Sequence, residues 1–164
     1  KELCKDDLPL ILKGIMTAED AILAVGAGAD GLIVSNHGGR QLDGCLASIH
    51  ALPEVVKAVK DLKSRSHGLP IPVFLDGGIR RGTDILKALA LGASAVGIGK
   101  PVFFALAAGQ GSQGVQHMLH LLQKELENAM ALTGCQSIGD ISNSVIMRHP
   151  SGSGRPAPVI RSAL

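Results

Sequence analysis

Aromatic residues and cysteines are scarce in this chain of 164 residues. It contains three Phe, no Trp and no Tyr, so its core has to be built from aliphatic side chains. The three cysteines, Cys4, Cys45 and Cys135, are odd in number and far apart in the sequence. This excludes a disulfide framework and a paired-cysteine metal site, so we expect a reducing, intracellular setting and no bound metal.

Strong net charge and long apolar runs are absent as well. The formal net charge of +2 is too small to indicate a nucleic acid or an anionic membrane as a partner. No apolar run has the length of about 20 residues that a transmembrane helix needs. Hydrophobic residues nevertheless make up 46% of the chain, which predicts a folded domain with a real core.

Glycine is abundant, with 21 residues, and it punctuates a repeat of strands and helices. Apolar runs bounded by glycine predict strands over residues 8–14, 31–36, 72–78 and 95–99. Helical spacing of apolar residues predicts helices over residues 17–25, 53–63, 83–91 and 115–132. This alternation is typical of a parallel α/β sheet, in either a (β/α)₈ barrel or an open doubly wound sheet. Four units are too few to close a barrel, which usually needs about 250 residues.

The C-terminal end of the chain differs in composition from the rest. Residues 150–164 are rich in Pro, Gly and Ser, which predicts a flexible tail after one domain over residues 1–149. The last three residues, Ser-Ala-Leu, resemble a peroxisomal Ser-Lys-Leu ending but lack its basic middle residue. That ending carries little weight as a targeting signal.

The most informative segment is residues 35–43, with the sequence SNHGGRQLD. It follows the second predicted strand, so His37 and Arg40 leave the end of that strand in one short loop. The two glycines between them let the backbone turn and let a ligand approach closely. Histidine serves as an acid or base, and the planar fork of arginine binds carboxylates. The segment therefore predicts a site for a carboxylate substrate, with a solvated polar turn as the alternative.

Two further glycine-rich segments follow the third and fourth predicted strands. They are residues 76–84, DGGIRRGTD, and residues 97–101, GIGKP. Paired glycines let backbone N–H groups approach a phosphate, whose charge Arg80 or Lys100 would neutralise. Barrels commonly bind phosphate after strands seven and eight, so the two loops fit the last strands of a barrel. Tight turns between strand and helix are the alternative.

Together these segments resemble the C-terminal half of the FMN-dependent 2-hydroxy acid oxidase and dehydrogenase family, which includes glycolate oxidase. The resemblance covers roughly residues 8–141 and depends on LKG at residues 12–14 and on the two segments 35–43 and 76–84. The DGG segment alone would also fit other phosphate-binding barrels, but the loop with His37 and Arg40 argues against those. The resemblance implies a half-barrel, the last four βα units of a (β/α)₈ barrel.

The resemblance also implies a role for each matching residue. His37 would be the catalytic base and would contact the substrate, whose carboxylate Arg40 would bind. Lys13 would stabilise the reduced flavin, and Ser35 would touch its ring. The residues implied to bind FMN are Lys13, Ser35, Asp76, Gly77, Gly78, Ile79, Arg80, Gly99 and Lys100.

Two departures from the family pattern bear on these expectations. The family usually has Arg where this chain has Lys100, so the planar fork for phosphate is lost. The N-terminal half of the family's barrel, with the Asp that orients the base histidine, has no counterpart in this sequence. An inactive half-barrel that binds FMN phosphate or needs a partner half is therefore the alternative function.

The implied activity is oxidation of a short 2-hydroxy acid to the 2-oxo acid by bound FMN, with electrons passing to oxygen. The resemblance further implies a homo-oligomer for the complete barrel and a peroxisomal location, with the cytoplasm as the alternative. The sequence does not indicate the chain length of the substrate.

Overall fold

Four parallel strands form the central sheet of the computed structural model, which describes residues 8–148 and 158–160. In chain order its strands and helices are β1 (Ile11–Ile15), α1 (Ala18–Gly26), β2 (Gly31–Val34), α2 (Ser48–Val59), β3 (Val73–Asp76), α3 (Gly82–Ala90), β4 (Ala95–Gly97), α4 (Lys100–Ala105), α5 (Ser112–Leu132), β5 (Ile146–Arg148) and β6 (Pro158–Ile160). A π-helical turn over Leu106–Gln110 joins α4 to α5. The predicted alternation of strands and helices is thus confirmed.

The order of the strands follows the chain, β1-β2-β3-β4, and each neighbouring pair is parallel. In an open doubly wound sheet the order reverses at a switch point, whereas neighbouring strands of a (β/α)₈ barrel follow one another in sequence. The parallel α/β sheet is therefore confirmed, and its sequential order favours the barrel over the doubly wound alternative.

Helices cover one face of the sheet and bury its aliphatic side chains. In β3, Val73 and Leu75 are buried, whereas Phe74 and Asp76 are half-buried, because successive side chains of a strand point to opposite faces. The completely buried members of this core are Ala21, Leu32, Val34, Ala51, Leu52, Val55, Leu75 and Ala88. The opposite face carries the residues that alternate with the core, including Asp76 at the carboxyl end of β3.

A second apolar cluster forms where α3 packs against α5. An added Cβ at Gly82 would lie 2.2 Å from the backbone nitrogen of Leu126, so only glycine permits this close approach. The Gly82 N–H donates to Glu125 Oε2 at 2.8 Å, and Arg81 Nε lies 3.4 Å from Glu125 Oε1. The start of α3 is therefore held against α5 by backbone contact and by one carboxylate.

Helix α2 begins at Ser48 rather than at residue 53, so the predicted start was wrong. Pro53 suggested a helix start because proline lacks an N–H group, yet it lies inside the helix. Proline there removes one backbone hydrogen bond. The extra residues include Ala51 and Leu52, which are completely buried, and this burial offsets the lost bond.

Three strands end two residues earlier than predicted: β2 at Val34, β3 at Asp76 and β4 at Gly97. After β3 the reason is backbone conformation, because Gly77 and Gly78 have φ values of 89° and 81°. Such left-handed residues cannot continue a strand. The residues that follow each of these strands therefore lie in the loops that carry the predicted site residues.

Helix α4 has no counterpart among the predicted helices. It has only six residues, which is too short for a helical period to appear in the sequence; its residues Phe103 and Phe104 are each 72% exposed. The following helix α5 begins at Ser112 rather than at residue 115 and ends at Leu132, as predicted.

The predicted flexible tail, residues 150–164, falls mostly outside the described residues. Within it, Pro158–Ile160 forms β6, which pairs antiparallel with β5. Flexibility of the rest of the tail stays a prediction. No helix in the described part of the chain is long and apolar enough to cross a membrane.

Candidate active site

The carboxyl ends of the four parallel strands open into a cleft of about 670 Å³. Since parallel strands all end at the same edge of the sheet, the loops that follow them meet there. The predicted site residues that line this cleft are Lys13, His37, Arg40, Asp76, Gly77, Gly78, Ile79, Arg80, Gly99 and Lys100. Ser35 does not line it, and its side chain is buried. The structure thus brings together residues that are up to 87 positions apart in the sequence (Lys13 to Lys100).

Lys13 forms a charged contact across three strands. Its Nζ lies 2.9 Å from Asp76 Oδ2 at the end of β3 and donates a hydrogen bond to Ser35 Oγ after β2. The same hydroxyl oxygen accepts a bond from the His37 backbone N–H at 3.1 Å. Ser35 therefore connects the lysine to the start of the histidine loop, a role distinct from the implied contact with the flavin ring.

Asp76 has one carboxylate oxygen that lacks a partner. Its Oδ1 is buried and accepts no hydrogen bond from the described part of the chain. A buried acceptor without a donor costs about 1–3 kcal/mol, and a hydroxyl group of a ligand in the cleft would satisfy it. This oxygen is the clearest sign that the cleft is built to hold a polar molecule.

The histidine loop has a left-handed backbone over three successive residues. The φ angles of His37, Gly38 and Gly39 are 58°, 67° and 70°, and His37 is the one non-glycine residue with positive φ among those described. For an L-residue this conformation costs about 1–2 kcal/mol. The turn leaves the side chains of His37 and Arg40 exposed at the cleft, as residues that meet a substrate have to be.

The loops after β3 and β4 present bare backbone to the cleft. An added Cβ at Gly78 or Gly99 would meet no atom within 4 Å, so a ligand can approach the main chain there. Asp84 Oδ2 accepts bonds from the N–H groups of Arg80 and Arg81 at 3.1 and 3.0 Å, which fixes the end of the first loop. Lys100 Nζ lies 3.4 Å from the Gly38 carbonyl oxygen.

The charged side chains that line the cleft are mostly cationic. They are Lys13, Arg40, Arg80, Lys87 and Lys100, against the carboxylates of Asp76 and Asp84. A cleft with such an excess attracts anions, a class that includes phosphates and carboxylates. The orphaned Asp76 oxygen would accept from a polyol hydroxyl. The residues present therefore fit FMN, which has a phosphate, a polyol chain and a flat ring.

Four polar side chains that line the cleft were not among the predicted site residues: Asn36, Ser48, Asp84 and Lys87. Ser48 is buried and its Oγ donates to the Asp76 carbonyl oxygen at 2.5 Å. A serine near the start of a helix was the available signal, but α2 was predicted to begin after it. Asn36 lies within residues 35–43, where roles were predicted only for Ser35, His37 and Arg40.

The sequence model of the family described as FMN-dependent dehydrogenase matches residues 3–148. The chain belongs to this family.

Its relatives in this family are oxidases of small acids by name. A peroxisomal (S)-2-hydroxy-acid oxidase of Oryza sativa subsp. japonica is 57% identical over 140 residues, 85% of this chain and 36% of that protein. An L-lactate oxidase of Nostoc sp. is 57% identical over 139 residues, with the same two coverages of 85% and 36%. A mandelate oxidase variant solved with a monooxide FMN adduct is 56% identical, with a TM-score of 0.72, over 81% of this chain and 40% of its own.

The chain thus spans between 36% and 40% of the length of these three proteins. The resemblance to the family that the sequence analysis stated is confirmed. The α/β fold with a parallel sheet is shared with an FMN-bound oxidase.

Proposed function

We propose that this chain is the FMN-binding and base-carrying part of an enzyme that oxidises a short 2-hydroxy acid to the 2-oxo acid. One observation carries the proposal: His37 and Arg40 open from a single loop onto the cleft that the Lys13–Asp76 pair and the two glycine loops also line. The names of the relatives, a 2-hydroxy-acid oxidase and a lactate oxidase, support this substrate class.

In this proposal the four strands are the second half of an eight-stranded barrel. Their sequential parallel order and the helical cover on one face support it, as does the share of the relatives that the chain spans. Strands β1 and β4 are the two edges of the four-stranded sheet. Unpaired edges favour pairing with further strands, here those of an N-terminal half.

Different loops would bind different parts of the cofactor. Asp76, Gly77, Gly78, Ile79 and Arg80 would hold its polyol chain and phosphate, and Gly99 and Lys100 would complete the phosphate site. Lys13 would place a positive charge beside the flavin ring, and the Ser35 hydroxyl would hold the Lys13 ammonium group by accepting its hydrogen bond. Bound FMN would supply the acceptor for the two electrons that the substrate loses.

At the substrate, Arg40 would bind the carboxylate through its planar fork, which orients the reacting carbon. His37 would remove a proton as the general base, either from the 2-hydroxyl group or from the α-carbon. The left-handed turn places both side chains at the mouth of one cleft. Both groups can therefore reach one small substrate.

Three finer points belong to the same proposal. Oxygen is the proposed electron acceptor, since the named relatives are oxidases. A homo-oligomer is proposed for the complete barrel. A peroxisomal location is proposed because one relative is named as peroxisomal.

A flavin titration of the purified chain, followed by size-exclusion chromatography read in the visible, tests the proposal. Flavin that co-elutes with a compact species, and turnover of glycolate or lactate with release of hydrogen peroxide, is the expected result. Flavin binding without turnover would support the inactive half-barrel that binds FMN phosphate. A chain that binds no flavin would contradict FMN binding by these residues alone and leave the half-barrel that needs a partner half.

A further inference from the structure

We propose that Asn36 is a positioning residue, which holds His37 and Arg40 in place through the backbone of their loop. The inference rests on the proposed function, because it concerns the same base and the same carboxylate site. It assigns a role to a side chain that stands between Ser35 and His37.

Both ends of the Asn36 amide are engaged. Its Nδ2 donates to the Leu46 carbonyl oxygen at 3.1 Å, and its Oδ1 accepts from the Gly39 N–H at 3.1 Å. The Gly39 N–H is shared with the Asn36 backbone carbonyl, also at 3.1 Å. One side chain thus closes the turn over residues 36–39 and ties it to the segment that leads into α2.

The turn needs such closure because its backbone is strained. The strained residue, His37, lies between two anchors: the Ser35 hydroxyl holds its N–H, and the Asn36 amide holds Gly39 on its other side. Left-handed non-glycine residues persist where the surroundings over-determine them. Without the amide, the Gly39 N–H would keep only its bond to the Asn36 backbone carbonyl, and the bond that ties the turn to Leu46 would be lost.

The amide also lies beside the loop that follows β3. An added Cβ at Gly77 would lie 3.5 Å from Asn36 Oδ1, an ordinary van der Waals distance, so the amide lies next to this loop. Asn36 therefore bonds to the histidine loop and to the approach to α2, and it lies next to the cofactor-side loop. This position suits a residue that sets the base relative to the cofactor.

The first test needs neither flavin nor turnover. In the full chain, Asn36→Ala is expected to speed hydrogen exchange of the Gly39 amide about tenfold, the factor that a hydrogen bond of ordinary net strength provides. Asn128→Ala, at an exposed position of α5, is the matched control and is expected to leave this exchange unchanged. Equal exchange in the two variants would overturn the proposal.

The second test uses the FMN-loaded protein. Asn36→Ala is expected to lower kcat/KM for the hydroxy acid by about 100-fold, the scale of a misplaced catalytic group, with FMN affinity unchanged. Asn36→Asp keeps an oxygen for the Gly39 N–H but loses the donor to Leu46, so it is expected to recover part of the loss. A fall in FMN affinity with kcat and KM unchanged would make Asn36 a cofactor contact and overturn the proposal.

The two proposals fail in distinguishable ways. An unsubstituted protein that binds FMN but turns over no hydroxy acid would reject the proposed function. The exchange of Gly39 would then still decide whether Asn36 holds the loop. Turnover that falls in Asn36→Ala only in proportion to the folded fraction would show a merely structural role and overturn the positioning proposal.

Discussion

Two of the glycine-rich loops at the cleft, those after β2 and β3, are held in different ways. The loop after β2 exposes the side chains of His37 and Arg40, and it is closed by hydrogen bonds that its backbone N–H groups donate to the side chains of Ser35 and Asn36. The loop after β3 exposes its backbone at Gly78, and it is fixed by the start of a helix that Asp84 and Glu125 hold.

The difference follows from what each loop would bind. A loop whose side chains contact a substrate needs a fixed backbone. The residues that fix it have to lie on the side away from the cleft, so that they do not block it. A loop that offers N–H groups to a phosphate needs a bare main chain, so its support comes from the helix behind it. The predictions below aim at one loop at a time.

The largest effect is expected for His37→Ala in the FMN-loaded protein. Loss of a general base lowers kcat by about 10²- to 10⁴-fold, while the glycine loops keep the cofactor. Steady-state turnover and the visible flavin spectrum measure the two effects separately. Turnover close to that of the unsubstituted protein would remove His37 from the role of base.

Gly82→Ala is expected to disrupt the loop after β3 by displacing the start of α3, which supports it. The new Cβ would collide with the backbone of α5, and overpacking of this kind costs about 1–3 kcal/mol. Stability and FMN affinity should both fall, while kcat per bound FMN stays unchanged, the reverse of His37→Ala. Urea unfolding and flavin titration measure these quantities.

Gly26→Ala is the matched control, since an added Cβ at this helical position meets no atom within 4 Å. It should leave FMN affinity unchanged and should not lower stability, since alanine at a compatible helical position stabilises by up to about 1 kcal/mol. If both glycine variants were equally stable, the close approach of α3 to α5 would be wrong.

Arg40→Lys should separate the two roles proposed for the histidine loop, which are carboxylate binding by Arg40 and proton removal by His37. It keeps the positive charge but loses the planar fork that binds a carboxylate through two bonds. We expect KM for the hydroxy acid to rise about tenfold, roughly the worth of one charged hydrogen bond, with a smaller change in kcat. A change confined to kcat would argue that Arg40 does not bind the carboxylate.

The smallest effect is expected for Lys100→Arg, which tests the phosphate side. A guanidinium forms two parallel bonds to a phosphate where an ammonium acts as a point charge, so FMN affinity should increase by a few-fold, with kcat unchanged. Isothermal titration with FMN, and with riboflavin as the control that lacks the phosphate, measures this. Equal gains for both ligands would show that residue 100 does not face the phosphate.

Strand runs could be predicted because their patterns are local. Glycine-bounded aliphatic runs predicted all four strands of the parallel sheet, and many of the residues that line the cleft lie at the ends of these runs or directly after them. The start of α2 could not be predicted, since burial of Ala51 and Leu52 outweighed the local preference of Pro53. Helix α4 showed no local period at all.

Ser35 and Asn36 show where local patterns stop being informative. Both were visible in the sequence, but their partners, Lys13 and Leu46, come from other strands and loops. A short polar side chain has several possible partners, and only the packing of neighbouring strands selects one. Ser48 belongs to the same group, because its partner Asp76 is 28 residues away.

The sequence by itself determined the chemistry that this chain carries: the histidine and arginine in one loop, the paired glycines, and the alternation that produces a parallel α/β sheet. These features depend on residue type and spacing, which are properties of the sequence itself. Tertiary structure decided which groups meet: Lys13 with Asp76, Asn36 with Leu46 and Gly82 with α5. Such contacts join distant segments, so they exist only once the strands have paired and the helices have packed on them.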